Sequence, residues 1–240
     1  MIVNRKPSVI LLDIEGTTTP ISFVYETLFP YARAHLKEFL REHEDHEDLR
    51  RDIEMLAAEN QADNLSGAPV MPSSPKPVDV CNYLVWLMDQ DRKSPALKSI
   101  QGKIWEAGYT SGQLKSVVFA DVPAAFERWH HEGRRIAIYS SGSVLAQKLL
   151  FHHSQAGNLT QWIAAYFDTA TGGKTEKDSY KKIAKALGTD PQNVLFLSDT
   201  PAELDAAASA GLGVRLAKRP GNREVPQQVR HLPVFSFDEL

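Results

Sequence analysis

Short apolar runs that end in small or acidic residues recur along this chain of 240 residues, and they constrain its fold more than any other feature. The first lies in SVILLDIEGTTTP, residues 8–20, where the apolar stretch ends at Asp13 and a second acid, Glu15, follows. Runs that are apolar on both faces are typical of parallel strands that helices cover on both sides. Three later segments share the pattern: RRIAIYSSGS (134–143), NVLFLSDTPAE (193–203) and the shorter GVRLAKRPG (213–221).

Helix signals lie between these runs, as caps, early prolines and terminal glycines. They predict three helices, which run from Asp121 to Gly133, from Asp178 to Leu187 with Gly188 just beyond, and from Thr200 to Gly211. Strands that alternate with helices in this way predict an α/β fold with a doubly wound parallel sheet.

Residues 22–115 interrupt that alternation with a series of helical patterns. The predicted helices cover 25–43, 47–60, 78–91 and 96–106, with a loop rich in proline, serine and glycine at 66–77. We therefore expect two domains: an α/β core formed by residues 1–21 and 116–240, and an inserted helical domain formed by residues 22–115.

Composition excludes several classes of function. A formal charge of -3 and an isoelectric point near 6.2 provide no basic surface for nucleic acid. No segment approaches the roughly 20 apolar residues that cross a bilayer, so no membrane association is expected. The single cysteine, Cys81, cannot form an internal disulfide and fits a helix packing position in a cytoplasmic protein. We expect a monomer.

The run REHEDHEDLRRD, residues 41–52, contains histidines among acids and resembles a metal site at first sight. No helical face collects these ligand types, so a solvated helix end and turn is the favoured interpretation.

The unusual polar residues of the core lie where strands are predicted to end, and in open α/β sheets ligands bind outside the carboxyl ends of the strands. Each of these residues alone has a structural explanation, as a helix cap, a turn or a solvated lysine. Together and in order they indicate a site: Asp13, Glu15 and Thr17, then Ser140 and Ser141, then Lys174, then Asp199 and Glu203.

These residue types suit phosphate chemistry. Asp13 and Asp199 offer the hard oxygen ligands that magnesium takes beside a phosphate. The serine pair and Lys174 can bind phosphate oxygens. Asp13 can attack phosphorus and form an acyl phosphate, while Glu15 can give a proton to the leaving oxygen and later take one from water.

The same motifs, in the same order, resemble those of the haloacid dehalogenase superfamily across nearly the whole chain. The helical insertion after the first motif resembles that superfamily's cap domain, which covers the site and chooses the substrate. Phosphatases of the superfamily usually have Asp-x-Asp in the first motif, whereas Glu15 replaces the second acid here. LLDIEGTTTPISFV, YSSGS, GGKTEKDSY and FLSDTPAELDAA together resemble the enolase-phosphatase family of methionine salvage.

That resemblance implies an activity and a cofactor. The family converts 2,3-diketo-5-methylthiopentyl-1-phosphate to its enol and then, by loss of phosphate, to acireductone, with one Mg²⁺ ion. The resemblance assigns the metal to Asp13, to Glu15 through its backbone carbonyl, and to Asp199. It assigns substrate contacts to Ser140, Ser141 and Lys174, and we expect Thr17 and Glu203 to support them. Among the aromatic residues of the insertion and its start, Phe23 and Tyr25 are the better candidates for the methylthio end.

Three alternatives stay open. A phosphatase or phosphomutase of the same superfamily could act on another small phosphate, although such an enzyme would be expected to keep Asp in place of Glu15. Hydrolytic dehalogenation fits less well, because the magnesium-binding set is intact. A binding module that has lost catalysis would not need Asp13, Lys174 and Asp199 together.

Overall fold

The structure is a computed structural model that describes residues 6–62, 67–225 and 230–240. Its centre is a sheet of six parallel strands in the order β3-β2-β1-β4-β5-β6. The strands are β1 (Val9–Leu12), β2 (Arg135–Tyr139), β3 (Ile163–Phe167), β4 (Val194–Ser198), β5 (Gly213–Ala217) and β6 (Pro233–Val234). The predicted α/β class with a parallel sheet is confirmed.

The two central strands are the most buried part of the sheet. Every residue of β1 is fully buried, and so are Phe196 and Leu197 of β4. Helices supply the apolar cover, and they are α6 (Val122–His131), α7 (Val144–His152), α8 (Lys177–Ala186) and α9 (Pro201–Ser209). Continuous apolar runs therefore mark the strands that lie deepest, as the sequence predicts.

The chain divides into two compact units, Met1–Tyr25 with Lys115–Leu240, and Glu26–Leu114. Within the second unit the described elements are helical: α2 (Phe29–Glu42), α3 (Glu47–Ala62), α4 (Pro77–Asp89) and α5 (Pro95–Thr110). Ser94 caps α5, because its hydroxyl accepts a hydrogen bond from Leu97 N at 3.0 Å. Of the predicted loop 66–77, Ser66 lies outside the described residues.

The helix expected at 25–43 is not continuous. A short helix, α1 (Ile21–Phe23), leads into a π-helical turn at Val24–Leu28, and α2 begins only at Phe29. Pro30 explains the break, because it has no N–H to donate to the carbonyl four residues earlier. The prediction of one helix from Tyr25 was wrong in its first turn.

Two interpretations from the sequence, those of the run at 41–52 and of Cys81, concern the helical unit, which also contains Trp105. Trp105 belongs to the interior of the helical unit, where its Nε1 donates to Leu28 O at 2.9 Å. The acidic and histidine-containing run spans the end of α2 and the start of α3, and no metal-binding group of three His, Cys, Asp or Glu side chains occurs in the residues described. Cys81 lies in α4, partly buried.

Of the helices within the described ranges, none has both the length and the apolar composition to span a membrane.

Candidate active site

The site is built on the carboxyl ends of β1 and β4, which are neighbouring parallel strands. Asp13 continues the ladder beyond β1, since its backbone N–H donates to Leu197 O at 3.0 Å. Asp13 is only 4% exposed, so its carboxylate enters the site from a buried position. Ser198 ends β4 and Asp199 follows it, which brings the first and the last predicted motifs to one edge of the sheet.

The chain turns sharply after Asp13. The amides of Thr17, Thr18 and Thr19 all donate to Ile14 O, at 3.2, 3.0 and 2.9 Å. Gly16 closes the turn in the left-handed region at φ +67°, where a side chain would be strained. A Cβ at this position would also overlap Asp199 Oδ2. The turn therefore requires glycine, and the backbone of the first motif lies directly against the carboxylate of the last.

The expected supporting role of Thr17 stays a prediction. Its hydroxyl is fully buried and has no hydrogen-bond partner in the described part of the chain. Thr18 is the hydroxyl that braces the turn, with Oγ1 at 3.2 Å from Asp13 O and 3.3 Å from Ile14 O. The sequence offers no signal to choose between adjacent threonines, because the choice depends on the direction of the chain inside the turn.

Lys174 connects the carboxylates. Its Nζ lies 2.6 Å from Asp13 Oδ1 and 2.8 Å from Glu203 Oε2. Ser198 Oγ donates to Glu203 Oε2 at 2.8 Å. Burial works against the charge on the lysine, but Asp13 and Glu203 outweigh it and raise the pKa of Lys174. The lysine is therefore a fixed positive charge beside Asp13.

Two buried tyrosines hold the loop that carries this lysine. Tyr139, the last residue of β2, donates from its hydroxyl to Gly172 O at 2.9 Å. Tyr180 on α8 donates to Lys174 O at 2.6 Å. The two rings meet edge to face at 5.5 Å. Sequence reasoning missed both residues, since a tyrosine in an apolar run gives no sign of which carbonyl its hydroxyl will reach.

Three further carboxyl groups have perturbed acidity. Burial, then the charges of Asp13 and Asp199, raise the pKa of Glu15 to about 7, with Lys174 acting in the opposite direction. Burial and Asp13 likewise raise the pKa of Asp199 to about 6. Burial and Asp13 raise the pKa of Glu203 to about 7, against the charge and hydrogen bond of Lys174. A carboxyl group with a pKa near 7 can both give and take a proton at neutral pH.

The serine pair lies at the next strand end. Ser140 follows β2, which pairs with β1 in register, so it starts beside the strand that carries Asp13. The residue is buried, and its Oγ accepts from Gly142 N at 3.2 Å, while Ser141 is exposed in the same turn. Lys174 thus contacts both Asp13 and Glu203 directly. Glu15 and Asp199 are close enough to Asp13 for its charge to raise their pKa values. The two serines follow the strand that pairs with β1.

The donor set fits one hard divalent cation. Asp13 and Asp199 bring carboxylate oxygens from two adjacent strand ends, and the turn after Asp13 brings Gly16, the neighbour of Glu15, close to Asp199. Oxygen donors of this kind are what Mg²⁺ takes, usually one or two carboxylates with the remaining positions left to water and phosphate. Burial and the charge of Asp13 raise the pKa values of Glu15 and Asp199, and a cation bound beside these carboxylates would relieve the repulsive part.

Comparison with known proteins identifies relatives over nearly the full length. A family profile described as haloacid dehalogenase-like hydrolase matches residues 7–211. Enolase-phosphatase E1 of Synechococcus elongatus is 49% identical over 96% of this chain and 96% of its own length. Enolase-phosphatase E1 of Drosophila melanogaster is 48% identical over 91% of this chain and 86% of its own length.

Solved structures share the fold of this chain. The crystal structure of the UTR4 protein from Saccharomyces cerevisiae covers 98% of this chain and 100% of its own, with a TM-score of 0.81 and 38% identity. A dehalogenase solved with an intermediate complex shares the fold at a TM-score of 0.57, with 15% identity. The chain belongs to the haloacid dehalogenase-like hydrolases and, within them, to the enolase-phosphatase E1 family.

Proposed function

We propose that the protein is an enolase-phosphatase that converts 2,3-diketo-5-methylthiopentyl-1-phosphate to its enol and then to acireductone and phosphate, in methionine salvage. The relatives named enolase-phosphatase E1 support this reaction. The observation that carries it is the pairing of a buried aspartate, held by Lys174, with a glutamate two residues later whose pKa is about 7.

Asp13 is the proposed nucleophile of the phosphatase half. Its carboxylate oxygen forms a bond to phosphorus while the bond from phosphorus to the substrate's C1 oxygen breaks. Protonated Glu15 gives its proton to that leaving oxygen, so acireductone leaves as a neutral hydroxyl compound. Lys174, positioned against Asp13 at 2.6 Å, balances charge on the transferring phosphoryl group.

The second half of the phosphatase reaction regenerates the enzyme. A water molecule attacks phosphorus of the aspartyl phosphate, the acyl C–O–P linkage breaks at phosphorus, and Asp13 becomes a carboxylate again. Glu15, now ionised, takes the proton from that water. We assign Ser140 and Ser141 to phosphate oxygens, because they lie in the turn that follows the neighbouring strand.

For the enolase half, we propose that Glu15 takes part in moving the proton from the carbon beside the carbonyl. Glu15 reaches about one methylene further than the aspartate usual in the superfamily. A group that is half protonated near pH 7 can serve both this transfer and the protonation of the leaving oxygen.

We propose one Mg²⁺ ion as the cofactor, held by Asp13, by the backbone carbonyl of Glu15 and by Asp199. When bound it supplies positive charge for the phosphate and for the enolate oxygen. EDTA is expected to stop turnover, and added Mg²⁺ to restore it. Full activity of a metal-free preparation would contradict this assignment.

The helical unit is proposed to be the substrate-selecting cap domain expected from the sequence, since it is inserted directly after the first motif. Phe23, which is buried, and Tyr25, which is 55% exposed, lie directly before the point where the chain leaves the α/β unit. We also propose that the protein is a cytoplasmic monomer. Sedimentation of the purified protein would test its oligomeric state.

The decisive experiment is incubation of the protein with the diketo phosphate under anaerobic conditions. Absorbance follows the enol and acireductone, and a colorimetric assay follows phosphate. We expect the enol to form first and phosphate to be released as acireductone accumulates. Release of phosphate without an enol or acireductone signal would indicate a phosphatase for another small metabolite.

A further inference from the structure

The turn that carries Glu15 is held from outside by the loop that follows β5. Asn222, in that loop, donates from Nδ2 to Gly16 O at 2.9 Å and to Ala217 O at 3.1 Å. Arg219 donates from Nε to the next carbonyl, Thr17 O, at 3.1 Å. Two successive carbonyls immediately after Glu15 are therefore fixed by side chains about 200 residues away in sequence.

The orientation of the Asn222 amide follows from its neighbours. With Nδ2 towards Gly16 and Ala217 the side chain satisfies two carbonyl oxygens, whereas the reverse orientation would bring Oδ1 against both. Oδ1 then faces Gly16, where an added Cβ would lie 2.9 Å from it. The Asn222 amide and the Asp199 carboxylate thus lie on the same side of Gly16 and leave no room there for a Cβ.

The two donors differ in what else they do. Arg219 also bonds Asp121 Oδ2 at 2.7 Å and stacks on the ring of Phe237 at 4.2 Å, so it helps hold the α/β unit together. The side-chain hydrogen bonds of Asn222, by contrast, go to the carbonyl at the end of β5 and to the turn of the first motif. Asn222 is therefore the residue whose loss should disturb the turn with less damage to the core.

We propose that Asn222 is a positioning residue for Glu15, a role that rests on the proposed function of Glu15 in proton transfer. By fixing the Gly16 carbonyl it holds the left-handed turn, and the turn holds the Glu15 carboxyl where it can reach the leaving oxygen. A displacement of about 1 Å in a proton-transfer group can cost roughly a hundredfold in rate. Asn222 lies outside the four segments quoted above for the family resemblance, in a Pro-Gly-Asn sequence typical of an ordinary turn.

The test is a double-mutant cycle with Asn222→Ala and Glu15→Gln, measured by phosphate release from the diketo phosphate. In the wild-type background Asn222→Ala is expected to lower kcat about 10- to 100-fold while KM changes by less than about threefold. In the Glu15→Gln background the same change is expected to cost less than about threefold, because the group it positions is already absent. Equal losses in both backgrounds would overturn the proposal, as would an unchanged kcat for Asn222→Ala alone.

A second substrate separates positioning from general damage. The leaving group of p-nitrophenyl phosphate is a weak base and needs little help from an acid. Asn222→Ala should therefore hydrolyse it at nearly the wild-type rate, and a loss as large as with the diketo phosphate would contradict the proposal. Asn158→Ala, which removes an exposed asparagine that bonds Thr160, is the matched control and should change neither activity.

A second variant and a crystal structure test the positioning of Glu15 independently of the proposed reaction. Asn222→Ser retains a short donor and serves if the alanine variant does not fold. A crystal structure of either variant should show Glu15 displaced or in several conformations, and an unmoved Glu15 would overturn the proposal whatever the turnover. If the wild-type protein releases phosphate without forming acireductone, only the proposed reaction is contradicted. The double-mutant cycle can still be measured by phosphate release.

Discussion

At the scale of single residues, Asp13 and Glu15 are two positions apart and have different surroundings. Asp13 is buried, and its Oδ1 lies 2.6 Å from the Nζ of Lys174. Glu15 is partly buried near other acids, which raise its pKa to about 7. A carboxylate held against a lysine and a second carboxyl group with a raised pKa are well suited to act as nucleophile and acid.

Replacement of Asp13 by Asn tests the nucleophile. The amide keeps the shape but cannot form the acyl phosphate, so phosphate release should fall by at least about a thousandfold. Single-turnover measurements with radiolabelled phosphate should show no phosphorylated protein. Asp178→Asn, at an exposed aspartate paired with Lys181, is the control and should keep full activity. Measurable turnover by the Asp13 variant beyond this limit would remove Asp13 as nucleophile.

Replacement of Glu15 by Asp tests the longer side chain. If the extra methylene brings the carboxyl to both the leaving oxygen and the carbon-bound proton, both enolisation and phosphate release should slow, by about a hundredfold. The enol signal and phosphate are followed in one reaction. Glu127→Asp, on the exposed face of α6, is the control. Unchanged rates for both steps would show that the reach of Glu15 is irrelevant.

At the scale of elements, the central strands were predictable and the edges were not. β1 and β4 are buried on both faces, and their sequences are therefore continuous apolar runs. β3 lies at an edge and is mostly half-buried, and β6 has two residues, so neither carries a run that distinguishes it from a loop. The same limit applies to the site: strand ends located Asp13 and Asp199, but Asn222 reaches Gly16 only through tertiary structure.

Replacement of Gly16 by Ala tests the turn of the first motif. An alanine at φ +67° is strained by roughly 1–2 kcal/mol, and its Cβ would overlap Asp199 Oδ2. Gly133→Ala is a matched control, because it has φ +73° but nothing within 4 Å of the added Cβ. Chemical denaturation should show a larger loss for Gly16→Ala, and calorimetry should show weaker Mg²⁺ binding only in that variant. Equal effects of the two changes would argue against a close contact at Gly16.

At the scale of the whole molecule, the site concentrates acidic charge that the fold alone does not balance. Asp13, Glu15, Asp199 and Glu203 meet around Lys174, and the last three of these acids have raised pKa values. Such a group costs stability when all its members are ionised, and a bound divalent cation returns that stability. The strand ends that hold the carboxylates are the most buried part of the sheet, which keeps them together despite the repulsion.

The stability of the metal-free protein should therefore fall as pH rises from about 4.5 to 7. Glu15 ionises near its ordinary value of 4.5 when unfolded but near 7 when folded, so the folded state holds the proton more tightly across this range. That contribution is complete below pH 4.5, is lost as pH passes 7, and is worth on the order of 3 kcal/mol for Glu15 alone. Thermal unfolding in EDTA should show a Tm that decreases over this range by several degrees more in wild type than in Glu15→Gln. Glu127→Gln should follow wild type, saturating Mg²⁺ should flatten the profile, and identical profiles for wild type and Glu15→Gln would contradict the raised pKa.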